Sequence, residues 1–331
     1  MRVGFLGAGL IANFHASWLA ASGEGIEWSG VFDPDTPRAD AFARQRGAPV
    51  RASEGEVLDG CDAVYVCTWT SEHARLVGAA CERGLPVFCE KPLSTTLAGA
   101  RAMTEAVVGA GVTNQVGLVL RRSPAFCTLR ALVGGPESGR VMSILFRDDQ
   151  FIPVRGAYGS TWRGDVHKAG SGTLLEHSIH DADLLEWLVG PIGSVTARSA
   201  NFHGIEGIED AVVATVAYGN GAVGTLTSIW HDVDSRPSLR HVEVFCERAW
   251  YCLESEWSGP VRWMRGPGDE GVLVGDALVA AGREARGGDE NADAAFIRAV
   301  REGRPASPDF ATALRAHVVV DAAYRSAQAG G

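Results

Sequence analysis

Between Met1 and Arg122 the chain alternates short apolar runs, at 3–6, 27–32, 63–68, 86–90 and 114–118, with longer amphipathic stretches at 13–21, 36–46, 73–83 and 97–110. The short runs have the length of buried strands, and the longer ones repeat their apolar residues at helical spacing. Strand and helix in alternation predict a parallel sheet wrapped by helices. Glycine or proline stands at most of the breaks, at Gly7, Gly23, Pro34, Gly47, Gly84, Pro92 and Gly111, where the chain must turn.

After Arg121, Arg122, Ser123 and Pro124 the rhythm changes. A helix-like stretch (125–133), a strand-like run (141–147) and a second helix-like stretch (173–188) precede strand candidates at 195–200, 211–218, 222–230, 241–246 and 249–254. Strands in succession without intervening helices predict an α+β domain with an open, largely antiparallel sheet. Residues 265–290, rich in Gly, Asp and Glu, read as a surface loop with partial helix, and helices at 291–301 and 310–327 close the chain. The expected fold class is α/β in two domains, 1–122 and 123–331.

Length agrees with this, since 331 residues are too many for one ordinary core and suit two. The formal charge of -10, from 40 acidic against 30 basic residues with the basic ones scattered, argues against a nucleic-acid partner. No run approaches the roughly 18 apolar residues of a spanning helix, and the first residues lack the features of a signal peptide, so a cytoplasmic protein with no membrane partner is expected. The seven cysteines form no C-x-x-C pair and read as reduced core residues.

Gly7, Ala8, Gly9, Leu10, Ile11 and Ala12 follow the first apolar run directly and open the first amphipathic stretch, the context that a G-x-G-x-x-G/A dinucleotide fingerprint requires. Gly7 permits the tight turn, Gly9 lets the backbone approach a pyrophosphate, and Ala12 allows close helix–strand packing. Asp33, at the end of the second run, can accept hydrogen bonds from adenosine ribose hydroxyls and repels a 2′-phosphate, which favours NAD over NADP. Arg38 nearby leaves NADP open, and Asp33 with Pro34 also suits a plain turn.

Two further clusters carry chemistry. Glu90, Lys91 and Pro92 end the fourth run, where a parallel sheet presents ligand-binding residues; the lysine can hold a substrate oxygen and stabilise an alkoxide, with Glu90 holding the lysine. The second cluster runs from Gly170 to Asp183, where Glu176 and His180 stand four apart on a predicted helix, so that the carboxylate can orient the imidazole as a general base. Asp183 is an alternative partner for His180. His177 and His180 alone are thin grounds for a metal, and none is expected.

With these residues in order, the chain resembles the Gfo/Idh/MocA oxidoreductases. The likeness covers nearly the whole length: Gly7-x-Gly9-x-x-Ala12 with His15 after it, Glu90-Lys91-Pro92, Arg121 before Pro124, Trp162 with Arg163, the Gly170 to Asp183 segment, Glu209-Asp210, and Gly303 with Pro305. It implies a Rossmann domain followed by an α/β domain whose open sheet often forms an oligomer interface, hence a homodimer or homotetramer. It also implies an NAD(P)-dependent enzyme acting on the secondary alcohol or ketone of a sugar, cyclitol or related molecule. Carried over by position, Lys91 is the catalytic lysine, His180 the acid/base, and Glu176 takes the place of a common aspartate. Thr68, His73, Glu90 and Lys91 join the glycine turn around the cofactor, while Trp162, Arg163 and His167 join Lys91, Glu176 and His180 around the substrate, with Trp69 and Lys168 as further wall candidates. Ser178 replaces a usual glycine, and Ser71-Glu72 a common Pro-Asn. Alternatives within the resemblance are glycoside cleavage assisted by bound NAD and a non-catalytic NAD-binding regulator, the latter disfavoured by the presence of both Lys91 and His180.

Overall fold

The structure, a computed structural model, describes residues 1–156, 158–288 and 291–331. The chain divides into two compact units, Met1–Leu118 with Glu290–Leu314, and Val119–Asp289 with Arg315–Gly331. The first unit runs β1 (Arg2–Leu6), α1 (Leu10–Ala21), β2 (Glu27–Phe32), α2 (Thr36–Arg46), α3 (Glu54–Gly60), β3 (Ala63–Val66), α4 (His73–Glu82), β4 (Val87–Cys89), α5 (Leu97–Ala110) and β5 (Asn114–Val116). Its five strands are all parallel in the order β2-β1-β3-β4-β5. Strand order reverses between β1 and β3, the switch point at whose carboxyl edge open α/β sheets bind ligands. Both faces are buried: Leu6, Val64, Val66 and Val87 pack on one side, and Val3, Phe5, Tyr65 and Phe88 on the other.

The second unit contains α6 (Pro124–Val133), β6 (Val141–Phe151), α7 (Val166–Ala169), α8 (Thr173–Glu176), α9 (Ile179–Val189), β7 (Ile192–Ala200), β8 (Ala211–Tyr218), β9 (Val223–His231), β10 (Leu239–Cys246), β11 (Trp250–Leu253), β12 (Val261–Met264), β13 (Glu270–Leu273) and α10 (Gly275–Arg286). Its eight strands form one sheet, β13-β12-β11-β10-β6-β9-β8-β7, antiparallel except for the β6–β9 pair. Ile144, Phe146, Val212, Val216, Leu226, Val242 and Val244 enter the core with α6 and α9 residues such as Phe126 and Leu184. The alternate positions Leu145, Val213, Val223 and Phe245 stand exposed on the opposite face.

Two helices complete the chain, α11 (Ala292–Glu302) and α12 (Phe310–Gln328). The sequence reading placed 290–314 wholly with the second domain. Instead Phe296, Ile297 and Ala299 of α11 are buried among Phe5, Tyr65 and Phe88, so this late segment completes the core of the first unit. The helix drawn over 173–188 is in fact two: Ser178 N–H closes the first on Thr173 O (2.8 Å), and Ser178 O starts the second by accepting from Asp181 and Ala182 N–H. The glycine-rich stretch 265–288 is more ordered than expected, holding β13 and α10, while Asp289 and Glu290 lie outside the described residues. All seven cysteines are free thiols, and only Cys81 is not fully buried. Among the described residues no helix is long and apolar enough to cross a membrane.

Candidate functional site

At the carboxyl end of β1, Gly7 adopts φ +93°, and a Cβ on it would lie 2.4 Å from the Cys67 carbonyl oxygen. Its N–H donates to Phe32 O at 2.8 Å, which ties the turn to β2. Gly9 caps α1 without any side-chain partner, and a Cβ built there meets nothing within 4 Å. No acidic residue stands in the first turn of α1, Leu10 and Ile11 are exposed, and Ala12 is fully buried. The result is a twelve-residue helix whose first N–H groups carry the positive end of the dipole uncapped, as a pyrophosphate requires. Gly7→Ala should destabilise the fold by about 1–3 kcal/mol and weaken NADH binding, as read by urea denaturation and by fluorescence titration.

Asp33 lies just past β2. One carboxylate oxygen accepts Ala8 N–H at 2.8 Å and the other Asp35 N–H at 2.9 Å. The carboxylate therefore pins the middle of the glycine turn, and two of its four acceptor positions remain for ribose hydroxyls. The Arg38 guanidinium stands 4.0 Å away and is half exposed. Asp33 can thus select the nucleotide and also shape the turn that holds it, a second task that sequence reasoning missed.

The ends of β3 and β4 bring Thr68, Glu90 and Lys91 to the same edge of the sheet. His73, expected at the cofactor, is 1% exposed, with Nδ1 2.9 Å from Pro92 O and Nε2 3.3 Å from Thr68 O. Burial lowers its pKa, and as a neutral ring with one N–H it donates to one of these two carbonyls at a time. Glu90 is also buried. Its Oε1 lies 2.8 Å from His15 Nε2, its Oε2 accepts the Lys91 N–H at 3.2 Å, and His15 Nδ1 lies 2.8 Å from Asp293 Oδ1 on α11. Lys91 is half-buried, and it and Lys168 are the only lysines in the chain. Neither Asp293 nor Gly117, whose missing side chain makes room for Glu90, was signalled by spacing; their contribution depends on contacts across the fold.

In the second unit Glu209 organises the segment that carries Glu176 and His180. Its carboxylate accepts Gly172 N–H (2.7 Å), Leu174 N–H (2.9 Å), Ser171 Oγ–H (2.7 Å) and the Tyr324 hydroxyl (2.8 Å), and so caps the first turn of α8. Gly172 is obligatory, since a Cβ there would sit 1.8 Å from Glu209 O. Glu176 ends α8, is buried, and pairs with Arg163 at 2.7 Å. The Arg163 guanidinium also bonds Ser160 Oγ at 2.8 Å and lies 4.7 Å over the Trp162 ring, which packs against a small apolar cluster around Trp230.

His180 falls in the first turn of α9 and is 8% exposed, so it and Glu176 occupy successive short helices rather than one continuous face. Asp183, the alternative partner, is committed to Arg121 by two bonds of 2.8 and 2.7 Å. His167 is exposed, and Lys168 pairs with Asp165 at 3.4 Å. The break at His177 and Ser178 has a tertiary cause: Ser178 Oγ–H donates to Asp148 at 2.8 Å, and His177 Nε2 lies 3.1 Å from the same carboxylate on β6. Among the described residues no group of three or more His, Cys, Asp or Glu side chains is placed to hold a metal ion.

Comparison with known proteins matches residues 1–118 to the oxidoreductase family with an NAD-binding Rossmann fold, GFO/IDH/MocA, and residues 126–252 to the GFO/IDH/MocA C-terminal domain. The chain is 31% identical over 229 residues to a 1,5-anhydro-D-fructose reductase of Ensifer adhaerens, covering 67% of either chain. It is 27% identical over 338 residues to an inositol 2-dehydrogenase of Rhizobium meliloti, covering 98% of this chain and 96% of that one. Among solved structures, a levoglucosan dehydrogenase in complex with NADH and levoglucosan shares the fold with a TM-score of 0.87 at 21% identity, covering 100% of this chain and 98% of that chain.

Proposed function

Because the chain belongs to the Gfo/Idh/MocA family of oxidoreductases, we propose that it interconverts a secondary alcohol and a ketone on a sugar, cyclitol or related polyhydroxylated molecule, with NAD as its cofactor. The observation that carries this reading is the position of Lys91. It follows β4, on the opposite side of the β1–β3 switch point from Asp33. A dinucleotide whose adenosine ribose meets Asp33 and whose pyrophosphate meets α1 extends toward that end of the sheet. The fit of the group to the residues rests on the open space at Gly9, the uncapped start of α1 and the Asp33 carboxylate.

Bound NAD supplies a hydride acceptor or, reduced, a donor. The protein's part is to hold the substrate oxygen and manage its proton. Lys91 donates a hydrogen bond to that oxygen and stabilises the charge it gains as the C–H bond breaks. His180 takes the hydroxyl proton in oxidation and returns it in reduction, and Glu176 with Arg163 fixes the segment on which His180 is carried. Trp162, Arg163 and His167 form part of the substrate wall. The same reading gives a homodimer or homotetramer paired through the open sheet face that bears Leu145, Val213, Val223 and Phe245, which light scattering on the purified chain tests.

The deciding experiment follows absorbance at 340 nm with NAD or NADP against a panel of sugars, inositols and keto sugars. At least one panel member should be turned over, with kcat/KM at least about tenfold higher for NAD than NADP. Asp33→Ser should narrow that preference and raise KM for NAD, because the residue both contacts the ribose and anchors Ala8. Sugar release from a glycoside without net absorbance change would replace the dehydrogenase reading with glycoside cleavage, and a preference for NADP would overturn the role given to Asp33.

A further inference from the structure

The reaction proposed above leaves one buried ionic group of the first unit without a task. His15 on α1, Glu90 after β4 and Asp293 on α11 are 0%, 6% and 0% exposed, and the imidazole spans the two carboxylates at 2.8 Å on either side. Burial alone would discharge the ring, but Asp293 and Glu90 outweigh it and raise its pKa to about 10, so that both ring nitrogens donate. Burial and the nearby Asp293 carboxylate push the Tyr65 hydroxyl on β3 up, Cys67, Cys89 and His73 are further titratable groups near Glu90, and Phe88 packs edge-on against the imidazole at 4.7 Å. One Glu90 oxygen is thereby fixed on His15 and the other accepts the Lys91 N–H at 3.2 Å. Gly117 completes the seat, since a Cβ there would lie 1.9 Å from Glu90 Oε1.

A buried ion set of this kind is a poor source of stability, because apolar residues of equal volume usually do as well or better. Its worth lies in direction: each carboxylate has one geometry in which it satisfies its partners. We propose that His15 is a positioning residue for Lys91, holding Glu90 on the Lys91 main chain and so setting where the Lys91 side chain stands at the edge of the sheet. The proposal rests on the reading of Lys91 as the residue that holds the substrate oxygen. Asp293 is part of the device through His15, and it brings a segment 278 residues from His15 to bear on the site.

The test uses Glu90→Gln, Asp293→Asn and Gly117→Ala in the full chain. Because Lys91 and Lys168 are the only lysines, brief acetylation with acetic anhydride followed by peptide mass spectrometry reads the Lys91 environment against an internal reference. The Lys91-to-Lys168 labelling ratio should change at least about fivefold in each variant and kcat on myo-inositol, or on whichever panel compound is turned over, should fall at least about tenfold, while Kd for NADH, read by fluorescence on Asp293→Asn and Gly117→Ala, stays within about threefold. A role confined to stability would lower the melting temperature of Asp293→Asn and leave the ratio unchanged. That outcome in any variant that folds overturns the proposal. Should Glu90→Gln not fold, Asp293→Asn carries the test from the far side of the imidazole. A changed ratio in a chain that turns over no panel compound supports the positioning role and overturns the reaction assigned to Lys91.

Discussion

Lys91→Met and His180→Asn should each lower kcat by about two to four orders of magnitude, while Kd for NADH changes by less than about threefold. The methionine keeps the length and the apolar contacts of the lysine stem but removes the cation that would stabilise the developing alkoxide. The asparagine keeps a polar group in the first turn of α9 but cannot take up a proton. Neither change touches the glycine turn or Asp33, which is why the cofactor should still bind. Steady-state kinetics on the best panel substrate, with NADH titrated by fluorescence, checks both. Near-normal turnover in both variants would remove the proposed acid/base assignment. Equal losses of turnover and cofactor affinity would place Lys91 in cofactor binding instead. Glu176→Gln is expected to be milder, because Glu176 is paired with Arg163 and acts through the segment that carries His180.

What could be read in advance follows how local its cause is. The turn from Gly7 to Ala12 and the carboxylate of Asp33 were legible because a φ of +93°, a close approach and a strand-end position each select a residue type within a few positions of chain. Strands β6 to β11 of the second sheet were legible from their apolar runs, with ends shifted by up to four residues, whereas β12 and β13 were not. Helix α3 escaped notice although Ser53 Oγ caps it by accepting Glu56 N–H at 3.2 Å and the Glu56 carboxylate reaches back to accept Ala52 N–H at 3.1 Å. That signal was present and local. The split between Glu176 and His180 was not, since what halts the helix is the tie from Ser178 and His177 to Asp148 on a distant strand. The same holds for α11, whose amphipathic pattern announces a helix but not which core receives Phe296 and Ile297.

Arg240→Met should cost about 3–5 kcal/mol of stability near neutral pH. In the intact protein Arg240 is 5% exposed and bonds Asp181 Oδ1 at 2.7 Å and Asp148 Oδ2 at 3.2 Å, with Glu256 at 3.5 Å. Burial pushes the Asp148 carboxyl up, but Arg240 and His177 more than reverse this and hold it well below its ordinary range. Asp181 is pushed up by burial, with the neighbouring Asp148 adding to the shift and Arg240 opposing it. Removing the guanidinium leaves two buried carboxylates facing each other. Their folded-state pKa values then rise above the unfolded value, so the folded state binds protons more readily and the variant gains stability as pH falls from neutral toward about 4. For intact Asp148 the sign is opposite: its contribution is present above the unfolded pKa and lost as pH falls below it. Urea denaturation at pH 8 and pH 5.5 therefore separates the two effects, with the deficit of Arg240→Met shrinking at the lower pH. A deficit below about 1 kcal/mol at pH 8, or one that grows on acidification, would show that the three groups are not held as a buried ion set. Because Asp181 adjoins His180 and Asp148 anchors Ser178, the same variant should also lower kcat at temperatures where it remains folded, by loosening the turn on which His180 is carried.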